Sequence, residues 1–274
     1  MAGSPEAIVT LQPIGVVRCA VKRAAEMPRG GVEAEVEVFA EFADGLASIE
    51  GNSHLILVAW LHEAGQGELK WPAQTPPAEV GVFASRSPRR PNPIGLCAVR
   101  LLGREGNRLR VSPVDFVDGT PVLDIKPYSS AWDSVFSARS LRSLSPEPDP
   151  PEREMPRLLL QAENFHGERC RGVALAARLN YHVRSRWGVA QMDPRVRVAV
   201  GRDGCLADGL QALFGATLSS GRLAVTDADE VSVRLEGREL RARPLASAGE
   251  SVEEVLSKEI GELFELTERK AGDE

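Results

Sequence analysis

A proline-rich stretch between two differently patterned halves constrains the fold of this 274-residue chain most strongly. From Ser143 the sequence reads SLSPEPDPPEREMP, with acidic residues between the prolines. Proline lacks a backbone N–H donor and disfavours helical geometry in the residue before it, so the stretch predicts an extended, semi-rigid linker. We therefore expect a multi-domain protein with domains at residues 1–142 and 157–274 and a linker over 143–156.

The composition, 43% hydrophobic and 26% charged, is typical of a globular protein. No apolar run approaches the roughly 20 residues of a membrane helix, and the N-terminus lacks the basic and apolar regions of a signal peptide. We expect a cytoplasmic protein with no membrane partner. The net charge is −6, so any nucleic acid requires a local cationic patch.

The first half has the pattern of an all-β domain. Valine or alanine alternates with glutamate over residues 32–38, which is the two-residue period of a strand with one buried face. Segments 96–102 and 109–114 flank a Gly106–Asn107 pair that suits a hairpin turn. Many short strands separated by glycine and proline favour a small barrel or a sandwich.

The second half changes its period. Apolar residues recur every three or four positions over 171–187, which predicts an amphipathic helix, and a further helix is expected over 206–214. Strands are expected at 196–200, 223–225, 231–235 and 240–243, so this half is predicted to be α+β. A C-terminal amphipathic helix is expected to begin at Ser251 and to carry Val252, Val255, Leu256, Ile260, Leu263 and Leu266.

Two segments of the first half concentrate polar chemistry. In GVFASRSPRRPNPIGL, residues 81–96, three arginines lie among prolines that fix the loop, an arrangement suited to binding carboxylate or phosphate. In DGTPVLDIKPY, residues 118–128, a turn precedes Asp124 and Lys126, which share one strand face. The alternatives are a solvated turn for the first segment and an edge strand with an ordinary ion pair for the second.

These two segments, together with the opening IGVVR, resemble the TrmO family of S-adenosylmethionine-dependent tRNA methyltransferases, which are built on a single-sheet β-barrel. The resemblance covers about residues 8–140. It implies methylation of the exocyclic N6 amine of threonylcarbamoyladenosine at tRNA position 37 and a homodimer with cofactor near the subunit contact. In this sequence Cys97 replaces the serine usual after Gly-Leu, and Gly30 replaces a common glutamine.

The resemblance implies a set of site residues. The expected S-adenosylmethionine contacts are Pro28, Arg29, Gly30, His62, Glu63, Arg86, Leu96, Asp118, Gly119, Thr120 and Pro121. Asp118 or Asp124 is expected to accept a proton of the adenine amine, because that amine is a poor nucleophile. The expected tRNA contacts are Arg89, Arg90, Lys126 and Tyr128.

The second half holds a candidate metal site. His166, Cys170 and Cys205 could supply three zinc ligands and leave one position open, or they could be a loop-capping histidine and two buried thiols. The segments FHGERCRGVALAARL and RDGCLADGLQALFGATLSSGRLAV resemble the FmdE-type domain, over about residues 160–243. Its members commonly carry HGHxCPG, in which Glu168 here replaces the second histidine and Arg171 the proline. We expect an accessory domain that aids dimerisation or tRNA binding.

Two functions follow from the sequence. The first is a tRNA adenine-N6 methyltransferase with an appended domain, supported by the intact RPNPIG and DGTP motifs. The second is a regulatory protein that senses S-adenosylmethionine and metal without transferring a methyl group, which suits the acidic net charge and the altered metal motif.

Overall fold

The computed structural model describes residues 9–65, 67–72, 79–138, 140 and 145–270. The chain divides into two compact units, Met1–Ser134 and Val135–Glu274. In the described part of the chain, no helix combines the length and apolar character needed to cross a membrane.

The first unit is a closed antiparallel barrel of six strands. This confirms the single-sheet barrel that the family resemblance implied, and of the two folds that the strand pattern left open it is the barrel. Two further short strands form a separate ribbon, and a single helical turn follows the last strand. The strands are β1 (Gly15–Arg18), β2 (Val32–Val38), β3 (His54–Trp60), β4 (Lys70–Pro72), β5 (Glu79–Gly81), β6 (Ile94–Glu105), β7 (Arg108–Val114) and β8 (Pro121–Pro127), and the turn is α1 (Ser130–Asp133). The barrel order is β1-β2-β7-β6-β3-β8, and β4 pairs with β5.

Alternation of side chains builds the barrel core. In β2, Ala34, Val36 and Val38 are buried, while the intervening glutamates remain partly or fully exposed beside arginines of β7. The β6–β7 hairpin turns at Gly106 and Asn107 as predicted, with Gly106 at φ +60. A left-handed φ at this point is accessible to glycine without steric cost.

The second unit is α+β, also as predicted. Its sheet has the order β10-β9-β11-β12-β13, in which only the β9–β10 pair is parallel. The elements are α2 (Pro151–His166), α3 (Arg171–Trp187), β9 (Arg197–Val200), α4 (Gly204–Phe214), β10 (Leu223–Val225), β11 (Val231–Leu235), β12 (Arg238–Pro244), α5 (Val252–Ser257), α6 (Ile260–Leu263) and β13 (Phe264–Lys270).

The expected linker is partly helical. Residues 143 and 144 lie outside the described residues, and 145–150 form neither helix nor strand, but α2 begins at Pro151 and contains Pro156. Proline is tolerated in the first helical turn, where its missing N–H has no intrahelical partner. Pro156 costs the helix one hydrogen bond, which burial of Met155, Leu158 and Leu159 in the core offsets.

The prediction of one continuous C-terminal helix is wrong beyond its first turns. The chain forms α5 and α6, broken at Lys258, whose extended backbone (φ −94, ψ 152) ends α5, and then the strand β13. Leu266 therefore lies in a strand and pairs with Ala242 of β12. The β13 backbone satisfies the hydrogen-bonding groups of β12, which outweighs the helical spacing of the apolar residues.

Candidate functional site

A cavity of about 530 Å³ lies at one end of the barrel. Its walls come from the residues after β3, the arginine loop, the start of β6 and the segment after β7. The lining residues are Ala24, Leu61, His62, Glu63, Ala64, Ser85, Arg86, Ser87, Pro88, Arg89, Arg90, Ile94, Gly95, Leu96, Asp115, Phe116, Val117 and Thr120. The two motifs that the sequence singled out thus contribute to one cavity.

A close approach of three chain segments shapes the cavity wall. The Leu61 N–H donates to the Pro93 carbonyl at 2.7 Å, which ties the end of β3 to the arginine loop. A Cβ added at Gly95 would lie 2.8 Å from side-chain carbons of both Leu61 and Phe116, nearer than van der Waals contact allows. Glycine at position 95 therefore allows the side chains of Leu61 and Phe116 to pack against the backbone of β6.

The three arginines of the loop have different surroundings. Arg86 donates to the Leu96 carbonyl at 2.6 Å. Arg90 donates to the carbonyls of Val82 and Ser85 at 3.0 and 2.9 Å. The Arg89 guanidinium is exposed and has no hydrogen-bond or ion-pair partner among the described residues. Arg86 and Arg90 thus stabilise the loop backbone, whereas the Arg89 guanidinium makes no such contact among the described residues.

Asp118 lies in the turn that contains Thr120 and precedes β8. One carboxylate oxygen accepts the Cys19 N–H at 3.0 Å and the other accepts Lys22 Nζ at 2.7 Å. These hydrogen bonds, of which the one from Lys22 has the larger effect, hold the pKa of Asp118 below its ordinary value. Gly119 follows at φ +79, and the buried Thr120 hydroxyl donates to the Val117 carbonyl at 2.7 Å. The Asp118 carboxylate therefore stabilises the turn, and Thr120 contributes to the cavity wall.

The structure brings some of the expected residues together and leaves others apart. Of the expected contacts, those that line the cavity are His62, Glu63, Arg86, Arg89, Arg90, Leu96 and Thr120. Those outside its lining are Pro28, Arg29, Gly30, Asp118, Gly119, Pro121, Asp124, Lys126 and Tyr128.

Three expected site residues in β8 or directly after it have other partners. Lys126 Nζ lies 2.7 Å from Asp124 Oδ2 in an exposed ion pair, the alternative that the spacing had left open. The hydrogen bond that Lys126 donates to Asp124 raises the pKa of Lys126 above its ordinary value. The Tyr128 ring lies 6.3 Å from the His54 ring, centroid to centroid.

Asp115 is a cavity residue that the sequence analysis missed. It is exposed between buried Val114 and Phe116, so its carboxylate is on the side of the chain away from the barrel core. Burial, and then the charge of Asp115, raises the pKa of the neighbouring Cys97 thiol to about 12. Cys97 is therefore a protonated thiol at neutral pH and a weak nucleophile. The apolar–polar alternation in Val-Asp-Phe was the signal that could have identified Asp115.

The second unit brings His166, Cys170 and Cys205 together. Their nitrogen and sulfur atoms all lie within 4.8 Å of one another. In a tetrahedral zinc–thiolate site two ligand atoms are about 3.8 Å apart, so a small movement would let one ion contact all three side chains. A Cβ at Gly172 would lie 2.5 Å from Cys205 Cβ, so this glycine allows α3 and α4 to approach. Burial, and then the Cys170 thiol, raises the pKa of Cys205.

The two ring nitrogens of His166 have different surroundings. Its Nδ1 lies 2.9 Å from Asp208 Oδ2, whereas its Nε2 is buried without a hydrogen-bond partner in the described part of the chain. A buried polar atom without a partner is costly, and a metal ion beside the two thiols would satisfy it. The donor set of one imidazole and two thiols suits zinc.

Comparison with known proteins decides the family. A family model described as the tRNA-methyltransferase O N-terminal domain matches residues 16–134. A model described as FmdE, molybdenum formylmethanofuran dehydrogenase operon, matches residues 165–272. A protein of Archaeoglobus fulgidus named "Probable S-adenosyl-L-methionine-binding protein" is 37% identical over 278 residues, 97% of this chain and 75% of that protein. The chain belongs to the TrmO family.

Other relatives match a part of this TrmO-family chain. A second Archaeoglobus fulgidus protein, named "S-adenosyl-L-methionine-binding protein", is 46% identical over 132 residues, 46% of this chain and 93% of that protein. A mouse protein named "tRNA (adenine(37)-N6)-methyltransferase" is 45% identical over 92 residues, which is 32% of this chain and 21% of that protein.

Proposed function

We propose that this chain transfers a methyl group from S-adenosylmethionine to the exocyclic N6 amine of threonylcarbamoyladenosine at tRNA position 37. The observation that carries the proposal is that Arg86 and Leu96 of the arginine loop motif and Thr120 of the Asp-Gly-Thr-Pro motif line one cavity. The names of the A. fulgidus and mouse relatives support the cofactor and the tRNA substrate.

The proposed chemistry matches what the cavity offers. Methyl transfer is an in-line displacement: the C–S bond of the sulfonium breaks as the C–N bond to the amine forms, and S-adenosylhomocysteine leaves. Most of the acceleration comes from holding the two reactants close and collinear, so no covalent nucleophile is required. The protonated Cys97 thiol is consistent with this, because the reaction needs no thiolate.

The amine proton needs an acceptor in the cavity. Asp118 is bound by Cys19 and Lys22 and Asp124 by Lys126, and both lie outside the cavity lining. Asp115 lines the cavity, where its carboxylate interacts with the Cys97 thiol. We therefore assign the proton acceptor to Asp115, in place of the two aspartates expected from the sequence. A carboxylate in this role strengthens a weak amine nucleophile as the transition state forms.

Arg89 is the cation proposed to meet the tRNA. Its guanidinium is exposed at the cavity and unpaired among the residues that the structure describes, unlike the guanidinium groups of Arg86 and Arg90. A phosphate or the threonyl carboxylate would pair with it in a charge-assisted hydrogen bond. One local cation reconciles anion binding with a chain of net charge −6.

Nucleoside mass spectrometry tests the proposed reaction. Unmodified and threonylcarbamoylated tRNA are each incubated with the full chain and isotope-labelled S-adenosylmethionine. We expect one added methyl group on the threonylcarbamoylated tRNA alone. Labelled cofactor that binds tightly without any transfer to either tRNA would instead support the regulatory function.

Arg86→Ala sharpens this test. Loss of the 2.6 Å contact with Leu96 releases one brace of the loop, and misplacement by about 1 Å can cost about 100-fold in rate. The matched control is Arg110→Ala on the outer face of β7, which removes an exposed arginine outside the cavity lining. An Arg86→Ala variant with wild-type transfer and cofactor affinity would refute this role of the loop.

We propose a homodimer through the outer face of β3 and β6. Residues Trp60, Val58 and Ile56 of β3 pair with Ile94, Leu96 and Ala98 of β6, which makes this outer face apolar. Ile94 and Leu96 are 37% and 50% exposed and also line the cavity, so a second copy seated here would complete the cavity wall. Light scattering of the wild type should give a dimer and that of Leu96→Glu a monomer, and a monomeric wild type would overturn the proposal.

We propose zinc for the cluster of His166, Cys170 and Cys205. The ion would satisfy the buried His166 Nε2 and leave one coordination position open, which is typical of zinc sites that polarise a substrate or activate a water. Elemental analysis of the wild type and of Cys170→Ser tests the site. We expect about one equivalent of zinc in the wild type and a clear loss in the variant.

A further inference from the structure

Helix α4 presents two side chains toward the end of α2. Cys205 lies in the first turn of α4 and Asp208 follows three residues later, which places both on one face of the helix. His166 is the last residue of α2, and its Nδ1 lies 2.9 Å from Asp208 Oδ2. One helix therefore contributes a thiol of the proposed zinc site and the partner of its histidine.

We propose that Asp208 is a positioning residue that fixes the ring orientation and tautomer of His166 so that Nε2 faces the two thiols. This inference rests on the proposed zinc site. An ionised carboxylate only accepts hydrogen bonds, so this contact favours a proton on Nδ1, and a neutral ring would then present the lone pair of Nε2 to a metal ion. A histidine that binds metal through one nitrogen is commonly oriented by a carboxylate on the other.

The burial of the two side chains supports positioning over a simple ion pair. His166 is 12% exposed, whereas Asp208 is 48% exposed, and an ion pair with a half-exposed carboxylate contributes little stability. The contact does not satisfy Nε2, which is the buried atom without a partner. Stability alone therefore leaves the orientation of the ring unexplained, and a ligand at Nε2 explains it.

Cobalt titration of the full chain tests the inference. The protein is stripped of metal with a chelator and titrated with Co²⁺, whose visible d–d bands and thiolate charge-transfer band report the ligand set. Asp208→Ala should weaken Co²⁺ binding by about 10- to 100-fold and shift the d–d bands as the imidazole is lost. Asp208→Asn retains a neutral acceptor for Nδ1–H and should show a smaller loss.

Asp203→Asn is the matched control. Asp203 also adds negative charge near Cys205, but its carboxylate caps α4 through the Leu206 N–H at 3.0 Å and does not contact His166. Asparagine caps helices about as well as aspartate, so the fold is retained. This variant should bind Co²⁺ within about threefold of the wild type and keep its spectrum. Circular dichroism confirms that each variant is folded.

The outcomes separate the two proposals. A wild type that gives no cobalt–thiolate band refutes the zinc site, and the positioning role with it. A wild type that binds Co²⁺ while a folded Asp208→Ala variant matches its affinity and spectrum refutes the positioning role alone. Equal losses in Asp208→Ala and Asp203→Asn would also refute it, because they would show an effect of net charge.

Discussion

The two units differ in where they keep their charged and polar side chains. Among the described residues, the barrel unit buries one polar side chain, Thr120, whereas the second unit buries six. Two of those six, Glu154 and Arg184, are each 1% exposed and contact each other within the helical core. Several ion pairs of the barrel unit, such as that of Arg108 with Glu35, lie on its exposed outer face.

This difference separates stability from function. The barrel core consists of apolar side chains that alternate along six strands, so the loops at its end can carry arginines and a carboxylate without disturbing the core. The second unit instead depends on a buried charge pair, whose desolvation is offset only while both partners are present. A change of charge should therefore affect activity in the first unit and folding in the second.

The largest expected effect is that of Glu154→Ala. Burial opposes ionisation of Glu154, but hydrogen bonds from Arg157 and Arg184 hold its pKa below the ordinary value. Removing the carboxylate takes away the hydrogen-bonded partner of the buried Arg184 guanidinium, which should lower the free energy of unfolding of the second unit by about 3–5 kcal/mol. Urea unfolding followed by hydrogen-exchange mass spectrometry of α3 peptides measures the change.

Glu35→Ala is the matched variant in the barrel. It removes one partner of an exposed pair, so we expect a loss below about 1 kcal/mol, measured on barrel peptides in the same experiment. Similar losses for Glu154→Ala and Glu35→Ala would break the comparison between the units.

The next effect in size is on catalysis. Asp115→Asn retains the shape of the side chain but removes the proposed proton acceptor, so kcat should fall by about 100-fold. The dissociation constant for S-adenosylmethionine and the melting temperature of the barrel should remain at wild-type values, because Asp115 is exposed at the cavity.

Glu33→Gln on the outer face of β2 controls for the loss of one carboxylate from the barrel. It lies outside the cavity lining in an exposed pair with Arg110, so kcat should be unchanged. Wild-type turnover by Asp115→Asn would exclude Asp115 as the acceptor. A fall in the melting temperature in place of kcat would show that the barrel, too, depends on its polar groups for folding.

The sequence predicted the fold because periodicity reports burial directly. The alternation over 32–38 and the helical spacing over 171–187 both correspond to elements with the expected faces buried. It failed where tertiary contacts outweighed local preference. The prolines at 151 and 156 predicted a linker. Both lie in α2 instead, because apolar residues on one face of this helix are buried in the core. Residues 264–266 were predicted to continue the C-terminal helix, yet they lie in β13 and pair with β12.

The candidate sites were predictable to the extent that they lie in one motif. Arg86, Arg89 and Arg90 share a loop, so their proximity followed from the sequence alone. The separate roles of these arginines depend on which backbone carbonyls the folded loop presents, and no spacing rule encodes that. Asp208 was likewise out of reach, because its contact with His166 spans 42 positions and two helices.

The smallest expected effect is the response of the two units to acid. Lowered pKa values occur at five described carboxyls of the second unit, Glu154, Asp193, Glu239, Glu254 and Glu268, and at one of the barrel unit, Asp118. A carboxyl with a lowered pKa stabilises the folded state above its unfolded-state pKa of about 4, and this stabilisation is lost as the pH falls through the folded-state value. The second unit should therefore lose more stability in acid than the barrel.

Urea unfolding at about pH 7, 5 and 3.5 measures this difference, with each unit followed by pulse hydrogen exchange at one fixed labelling pH. The urea midpoint of the second unit should fall further than that of the barrel below about pH 4. Glu268→Gln provides an internal control. The Trp187 N–H and Arg186 lower the pKa of Glu268, so the variant should be less sensitive to acid than the wild type. A barrel that unfolds first in acid would contradict this prediction. It would show that Arg157 and Arg184 keep Glu154 ionised at a pH where the exposed carboxyls are already protonated.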